Sequence, residues 1–332
     1  VAKRQKLSHQ QKRRVQQSQQ KKLARGKRVA PDIDTDNLGP LQQGIVISRF
    51  GEQADVADSD QQVFRCYLRQ NLGSLVSGDI VMFRLDKQQH GIVEAVEERR
   101  SELTRPTAHS GLKTIVANID HIYIVIAPLP DFSSVMLDRY LVACELAGID
   151  TSIILNKVDL YSPDAYQQMQ AHLDIYRALD YPVYESSCKQ HQGIEAIQAS
   201  LASKDSILVG QSGVGKSSLI NELLPDVAAL TGAVSENSRL GTHTTTASKL
   251  YFLSGGGHII DSPGTREFGL WHLPADDLLR GFKELYPIQN QCKFRNCQHL
   301  NEPGCAIQKA VSEHSVELSR FESYQSILKS LS

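Results

Sequence analysis

The sequence predicts three folded units of different class: a small β-barrel, an α/β sheet built around a phosphate-binding loop, and an α-helical segment closed around a metal. Three observations carry this. Short alternating strands crowd residues 37–112, strand–helix alternation takes over at residue 113, and four Cys and His residues cluster beyond residue 290. With 332 residues and 41% apolar side chains, the chain is long enough to bury two or three cores.

Residues 1–36 precede these units as a basic tail and linker. Residues 1–30 hold 11 Lys or Arg and no Asp or Glu, and subtracting that +11 from the net charge of −1 leaves −12 on residues 31–332. The tail is Gln-rich and poor in apolar side chains. It cannot offset the entropy of ordering and is expected to be disordered when free. It reads either as a solubilising tail or as an arm that binds the phosphates of RNA and releases counterions as it does so. PDIDTDNLGP, residues 31–40, follows as an acidic Gly/Pro linker. The longest apolar run, residues 122–129, is too short to span a bilayer, and the N-terminus lacks the apolar run of a secretory signal. No membrane partner is expected, and a cytoplasmic monomer is.

In VFRCYLR (63–69), Phe64, Cys66 and Leu68 alternate with Arg65, Tyr67 and Arg69. In IVMFRL (80–85), Val81, Phe83 and Leu85 share a face, and GIVISRF and GIVEAVEER add two more runs. Several short strands within about 70 residues predict a small barrel, an OB-fold, over 37–112. A β-sandwich reads similarly at this level. Such a barrel either binds nucleic acid or acts as a spacer.

From residue 113 to 273 the texture is α/β. HIYIVIAP reads as a buried strand, SSVMLDRYLVACELAG as a helix ending at Gly148, and TSIIL, YPVYESS, SILVG and HIID as further short strands. This alternation predicts a parallel sheet with helices on both faces.

The chemistry is concentrated in this region. LVGQSGVGKSSLINELL (208–224) places Gly210, Gln211, Ser212, Gly213, Val214, Gly215, Lys216, Ser217 and Ser218 between a strand and a helix. The glycines let backbone amides wrap an anion, the helix N-terminus adds its dipole, Lys216 reaches the β- and γ-phosphates, and the Ser217 hydroxyl is placed to ligate Mg2+. Downstream, HIID ends at Asp261, which can hold the Mg2+ shell from the other side, and Gly264 can offer its N–H to a γ-phosphate. SRLGTHTTTAS between them reads as a nucleotide-sensitive switch, in which a Thr completes the Mg2+ shell when the γ-phosphate is present.

LNKVD comes before the phosphate loop. Asn156, Lys157, Val158 and Asp159 form the guanine-reading tetrapeptide. The Asp159 carboxylate accepts from guanine N1–H and N2–H2, a donor pair that adenine lacks. Asn156 can tie this loop to the phosphate loop, and the Lys157 stem can lie along the base. ESSCK follows the next strand, and Ser187, Cys188 and Lys189 resemble the Ser-Ala-Lys base-contacting turn of GTPases. The set is therefore a P-loop GTPase in rotated order: base reader, second base loop, phosphate loop, switch, Asp-x-x-Gly. A sheet tolerates such a circular permutation because its stability depends on which strands are neighbours.

CKFRNCQHLNEPGC gives Cys292, Cys297, His299 and Cys305, three thiolates and one imidazole suited to a closed, structural Zn2+ site in a C-terminal α-helical zinc-binding domain, residues 274–332. In a chain without a signal peptide this spacing reads as metal rather than disulfide. The segment looks too small to fold on its own core, so zinc is expected to supply much of its stability. Lys293 and Arg295 project from the same loop toward RNA phosphate.

The permuted order, the preceding barrel and the Cys/His segment together resemble the ribosome small-subunit-dependent GTPase A family of bacterial 30S assembly factors, over about residues 40–330. The resemblance implies an OB-fold, a permuted GTPase domain and a zinc domain. It also implies GTP hydrolysis stimulated by the small ribosomal subunit and its rRNA, late in 30S maturation. Many GTPases orient the attacking water with a Gln after Asp-x-x-Gly. Here that position is Thr265. His243 in GTHTTT is the candidate replacement, because an imidazole near neutral pKa can orient or deprotonate water, and the resemblance points to the same residue. Related switch loops favour Thr245 as the Mg2+ ligand, with Thr244 the alternative. Two other readings remain at this level: an adenine-nucleotide kinase or ATPase, against which LNKVD argues, and a zinc/OB nucleic-acid-binding module whose nucleotide site is only a structural clamp.

Overall fold

A computed structural model of the chain describes residues 38–69, 72–107, 111–224, 248–262 and 275–331. The basic tail, His243, Thr244, Thr245, Gly264 and Thr265 lie outside the described residues.

Strands β1 (Gln42–Phe50), β2 (Gln53–Ala57), β3 (Val63–Leu68), β4 (Ile80–Leu85) and β5 (Gly91–Val96) close into a barrel in the order β1-β2-β3-β5-β4. Only β3 and β5 run parallel; the other four pairs are antiparallel. This is a five-stranded barrel of the OB kind, not a sandwich. The period-two alternation holds: Val46, Ala54, Val56, Cys66, Val81, Phe83 and Val93 fill the interior, while Arg65 faces solvent.

The hairpin of β6 (Glu102–Thr107) and β7 (Gly111–Ala117) follows. The expected boundary between residues 112 and 113 falls inside β7. The hairpin joins the two units, because Leu103, Ile115 and Val116, together with Ile47 and Ala57 of the barrel, belong to the same apolar cluster as the sheet beyond.

That sheet contains β8 (His121–Ile126), β9 (Asp150–Asn156), β10 (Val183–Ser186), β11 (Lys204–Val209), β12 (Lys249–Phe252) and β13 (Gly257–Asp261), in the order β10-β9-β8-β11-β13-β12. All neighbours are parallel except edge strand β12 against β13. Helices α1 (Ser134–Ala147), α2 (Pro163–Ala178), α3 (Ile194–Leu201) and α4 (Lys216–Leu223) cover it. Alternate side chains of β8 sort the two faces. Ile122 and Ile124 pack with Leu137 and Leu141 of α1 and Leu173 of α2. Tyr123 and Val125 pack with Ile197 of α3 and Leu219 of α4. Helix α1 starts where the Ser133 hydroxyl accepts from Met136 N–H and stops at left-handed Gly148, as the sequence predicts.

The C-terminal segment holds α5 (Ala275–Arg280), a 3₁₀ turn over Tyr286–Gln291, α6 (Ala306–Ser312) and α7 (Leu318–Leu331). Its core differs from the expectation. Leu278, Phe282, Leu285, Ile307, Phe321, Tyr324 and Ile327 bury one another around Val142 of α1. The segment thus has an apolar core, shared with the sheet domain, and a metal is not its sole support. The join is also ionic. Arg320 of α7, 1% exposed, bonds Asp138 of α1 and donates from Nε to Glu284 Oε1 at 2.6 Å. The Tyr176 hydroxyl of α2 donates to Asp138 Oδ1 at 2.9 Å. Removing one partner of a buried ion group leaves uncompensated charge in a poorly polarisable medium. Arg320→Ala is expected to destabilise the chain by about 3–5 kcal/mol in urea unfolding. A loss below about 1 kcal/mol would show that water reaches the triad and screens it.

Candidate functional site

The parallel strands end along one edge, and the candidate nucleotide site lies there. After β11 the chain turns through residues 210–215 into α4. Gly210 has φ 138°, and a Cβ on it would stand 2.3 Å from the Val125 carbonyl oxygen of β8. Gly215 has φ 99°, and a Cβ there would stand 2.2 Å from Asn156 Nδ2. Both close approaches require glycine. Gln211 is half-buried, Ser212 and Gly213 are exposed, and Val214 packs inward. Ser217 and Ser218 are exposed on the first turn of α4. The Lys216 ammonium donates to the carbonyls of Gly210 and Gln211, each at 2.7 Å. A lysine held across its own glycine-rich loop, at a helix N-terminus, presents a positive, amide-lined cradle to a phosphate.

The Asn156–Asp159 tetrapeptide is bonded directly to this cradle. Asn156 Nδ2 donates to the Val214 carbonyl at 2.9 Å, and Asn156 Oδ1 accepts from Ser186 Oγ at 3.1 Å. Lys157 sits at φ 60° and sends Nζ to the carbonyls of Gly213 at 2.5 Å and Leu129 at 3.2 Å. Val158 and Asp159 lie on the 3₁₀ turn Val158–Leu160. Asp159 Oδ1 accepts from the Ser187 hydroxyl at 2.5 Å, so the loop after β10 orients the carboxylate of the loop after β9. Ser187 also caps the turn Cys188–Gln190, which carries Cys188 and exposed Lys189. Burial pushes the Cys188 thiol up, which keeps it neutral beside Asn156.

Asp261 ends β13, two strands from β8 across β11. Burial raises its carboxyl above the ordinary range, and the Lys216 charge pulls it back down. That places the acid and the phosphate-loop lysine in one electrostatic neighbourhood. Sequence reasoning missed three hydroxyls in this region. Ser262 accepts from Ser248 Oγ at 2.8 Å, and the Ser248 carbonyl accepts from Ser77 of the barrel at 2.9 Å. No local pattern links residues so far apart in the chain.

A second constellation lies in the C-terminal segment. The ligand atoms of Cys292, Cys297, His299 and Cys305 all lie within 4.8 Å of one another. His299 Nδ1 is 3.6 Å from Cys292 Sγ and 3.4 Å from Cys305 Sγ. Burial lowers the His299 pKa, which favours the neutral, ligating imidazole. Burial and the neighbouring thiols raise Cys297 to about 12, a crowding that a cation relieves by replacing thiol protons. Glu302 does not join the set. Its carboxylate accepts from the N–H groups of Gln298, Leu300 and Asn301 and so shapes the loop. The donor set fits a metal ion.

A family model described as RsgA GTPase matches residues 96–271. A small ribosomal subunit biogenesis GTPase RsgA of Yersinia enterocolitica is 48% identical over 334 residues, spanning 98% of this chain and 95% of the relative. The chain belongs to the RsgA GTPase family. The protein of the same name from Haemophilus influenzae is 46% identical over 331 residues, spanning 98% of this chain and 96% of its own length. Among solved structures, YjeQ from Thermotoga maritima superposes with TM-score 0.73 at 31% identity over 88% of this chain and 99% of that one. YloQ, described as a circularly permuted GTPase, gives TM-score 0.69 at 26% identity over 88% and 95%. The rotated motif order of this RsgA-family chain is thus a property of its fold.

Proposed function

We propose that this chain hydrolyses GTP to GDP and phosphate under stimulation by the small ribosomal subunit, and acts late in the maturation of that subunit. One observation supports this above the others. The guanine-reading loop is hydrogen-bonded to the phosphate loop through Asn156 and Val214, so base identity and phosphate geometry are read as one rigid unit. Nothing in the structure favours the structural-clamp or adenine-nucleotide readings, and the family membership argues for the GTPase.

In this reading, backbone amides of residues 213–217 and Lys216 bind the phosphates, and Asp159, Ser187, Cys188 and Lys189 surround the base. Ser217, Thr245 and Asp261 are the groups suited to Mg2+, which screens phosphate charge when bound with GTP. His243 orients the attacking water and takes its proton as the water oxygen bonds the γ-phosphorus and the bond to the β-phosphate oxygen breaks. Gly264 donates its N–H to the γ-phosphate. The 11 uncompensated charges of residues 1–30 and Lys293 and Arg295 are suited to rRNA phosphates. The chain works as a cytoplasmic monomer. Among the described residues no helix is long and apolar enough to cross a membrane.

The test is turnover of GTP and ATP with and without purified small subunits. GTP-only turnover that rises with subunits is expected. Equal ATP turnover, or no response to subunits, would remove the reading.

Zinc is the metal this donor set suits best. Elemental analysis is expected to find about one zinc per chain. Cys297→Ala should lower that content and open the loop of residues 292–305 to protease, while the apolar core of α6 and α7 keeps its protection. A metal-free chain with that loop fully protected would sink the assignment.

A further inference from the structure

The contacts between barrel and sheet include a chain of serine hydrogen bonds, and we propose that this chain, Ser77–Ser248–Ser262, positions both phosphate-sensing segments for stimulated hydrolysis. The proposal rests on the GTPase reading above and assigns the route by which the barrel reaches the site.

Ser77 and Ser262 are 2% and 4% exposed. Ser77 Oγ donates to the Ser248 carbonyl at 2.9 Å, and Ser248 Oγ donates to Ser262 Oγ at 2.8 Å. The places of these residues in the chain give the bonds their meaning. Ser248 stands three residues after Thr245, and Ser262 stands between Asp261 and Gly264. The exit of the Thr-rich segment and the entry to the Asp-x-x-Gly segment are therefore bonded to each other, and to the barrel.

Ser77 is itself held from behind. Its carbonyl accepts from Ala117 N–H at 3.1 Å. Asp79, fully buried, accepts from Val76 N–H at 2.7 Å and from Arg99 Nε at 2.7 Å. Arg99 also donates to the Ser74 carbonyl at 2.6 Å. The loop between β3 and β4 is thus braced at Ser74, Val76, Ser77 and Asp79. Ser248 between them is half-buried. A shift of the barrel carries Ser77 with it, and the directional bonds of this junction pass that shift to Ser248 and Ser262. Packed junctions move between discrete arrangements rather than deforming smoothly, so a displacement of a few tenths of an ångström here has a defined effect on its neighbours. Ser77 acts through Ser248, whose carbonyl it bonds, and is a positioning residue.

The experiment compares the full chain with Ser77→Ala, Ser262→Ala and the double variant, using GTP, purified small subunits and thermal melting. Ser77→Ala is expected to lower the subunit-stimulated kcat by about 5- to 30-fold, the scale of coupling between sites. Its basal kcat and GTP affinity should stay within about twofold, the scatter expected of an uncoupled site. Ser262→Ala should show the same split. The double variant should be no worse than the weaker single, because both break one chain. Ser77→Thr keeps the hydroxyl and should restore stimulation, which a merely structural role for a small buried side chain does not predict. Stimulation retained in Ser77→Ala overturns the proposal. So does a loss shared equally by basal turnover and GTP binding, or a loss that adds in the double variant. If the parent chain itself shows no stimulation, the functional reading fails first, and this one falls with it.

Discussion

Replacing His243 by Ala is expected to lower small-subunit-stimulated turnover by about 10²-fold or more, the scale for losing a positioned acid/base group, with GTP affinity near that of the parent. Binding should survive because its determinants lie elsewhere. The phosphate cradle depends on the backbone of residues 210–215 and on Lys216, and the base loops depend on Asn156, Asp159 and Ser187. None of these needs the imidazole. Loss of rate with retained binding marks an interaction made mainly in the transition state. Lys216→Ala supplies the contrast. Its ammonium spans the loop carbonyls and lies near Asp261, so its removal should weaken nucleotide binding as well as rate. The decisive measurement is the single-turnover rate at saturating GTP and saturating subunit. A His243→Ala rate within about threefold of the parent, far short of a lost base, would remove His243 from the mechanism. Catalysis would then have to come from ribosomal RNA or from Thr265 and Arg266.

What the sequence could reveal was set by the range of the interactions concerned. The glycine-rich loop, the Asn-Lys-x-Asp tetrapeptide and the Cys/His cluster are short fixed spacings, so each could be picked out as a candidate without any knowledge of the fold. Their rotated order was legible too, because it needs only the chain direction. Strand β2 was missed because Gln-Ala-Asp-Val-Ala is short and rich in residues that favour strands weakly. Edge strand β12 was missed because Lys-Leu-Tyr-Phe is only four residues long. The β6–β7 hairpin contains a Pro and charged residues and was not singled out as strands, yet it closes the junction between barrel and sheet. The core of the C-terminal segment was underestimated because part of it belongs to α1. Asp138 and Arg320 are 182 residues apart, and periodicity cannot announce such a partner. The chain of serine hydrogen bonds from Ser77 to Ser262 is invisible for the same reason. Sequence shows chemistry that is local and hides the contacts that couple one piece of local chemistry to another.

The base-reading loop yields the other large effect. Asp159→Asn is expected to weaken GTP binding by about 10- to 10²-fold, the cost of losing charge-assisted hydrogen bonds to a buried partner. It should also turn the preference toward xanthine nucleotide. The geometry gives the reason. Ser187 donates to Asp159 Oδ1 at 2.5 Å, so Oδ1 is held by a donor while still able to accept from guanine N1–H, and the other oxygen is left to accept from the guanine amino group. In the Asn variant the same hydroxyl selects the amide orientation that keeps oxygen toward Ser187 and turns the NH2 group to the base. That NH2 opposes the donor amino group of guanine but pairs with the carbonyl oxygen that xanthine carries at the same position. Ser187→Ala in the Asn background should release the amide to rotate and so reduce the gain for xanthine nucleotide. The measurement is competition of GTP and XTP for the nucleotide site in parent, single and double variants. Equal GTP affinity in Asp159→Asn and parent would mean that this loop does not read the base. A preference for xanthine that is indifferent to Ser187 would show that the orientation of the amide is set by some other neighbour.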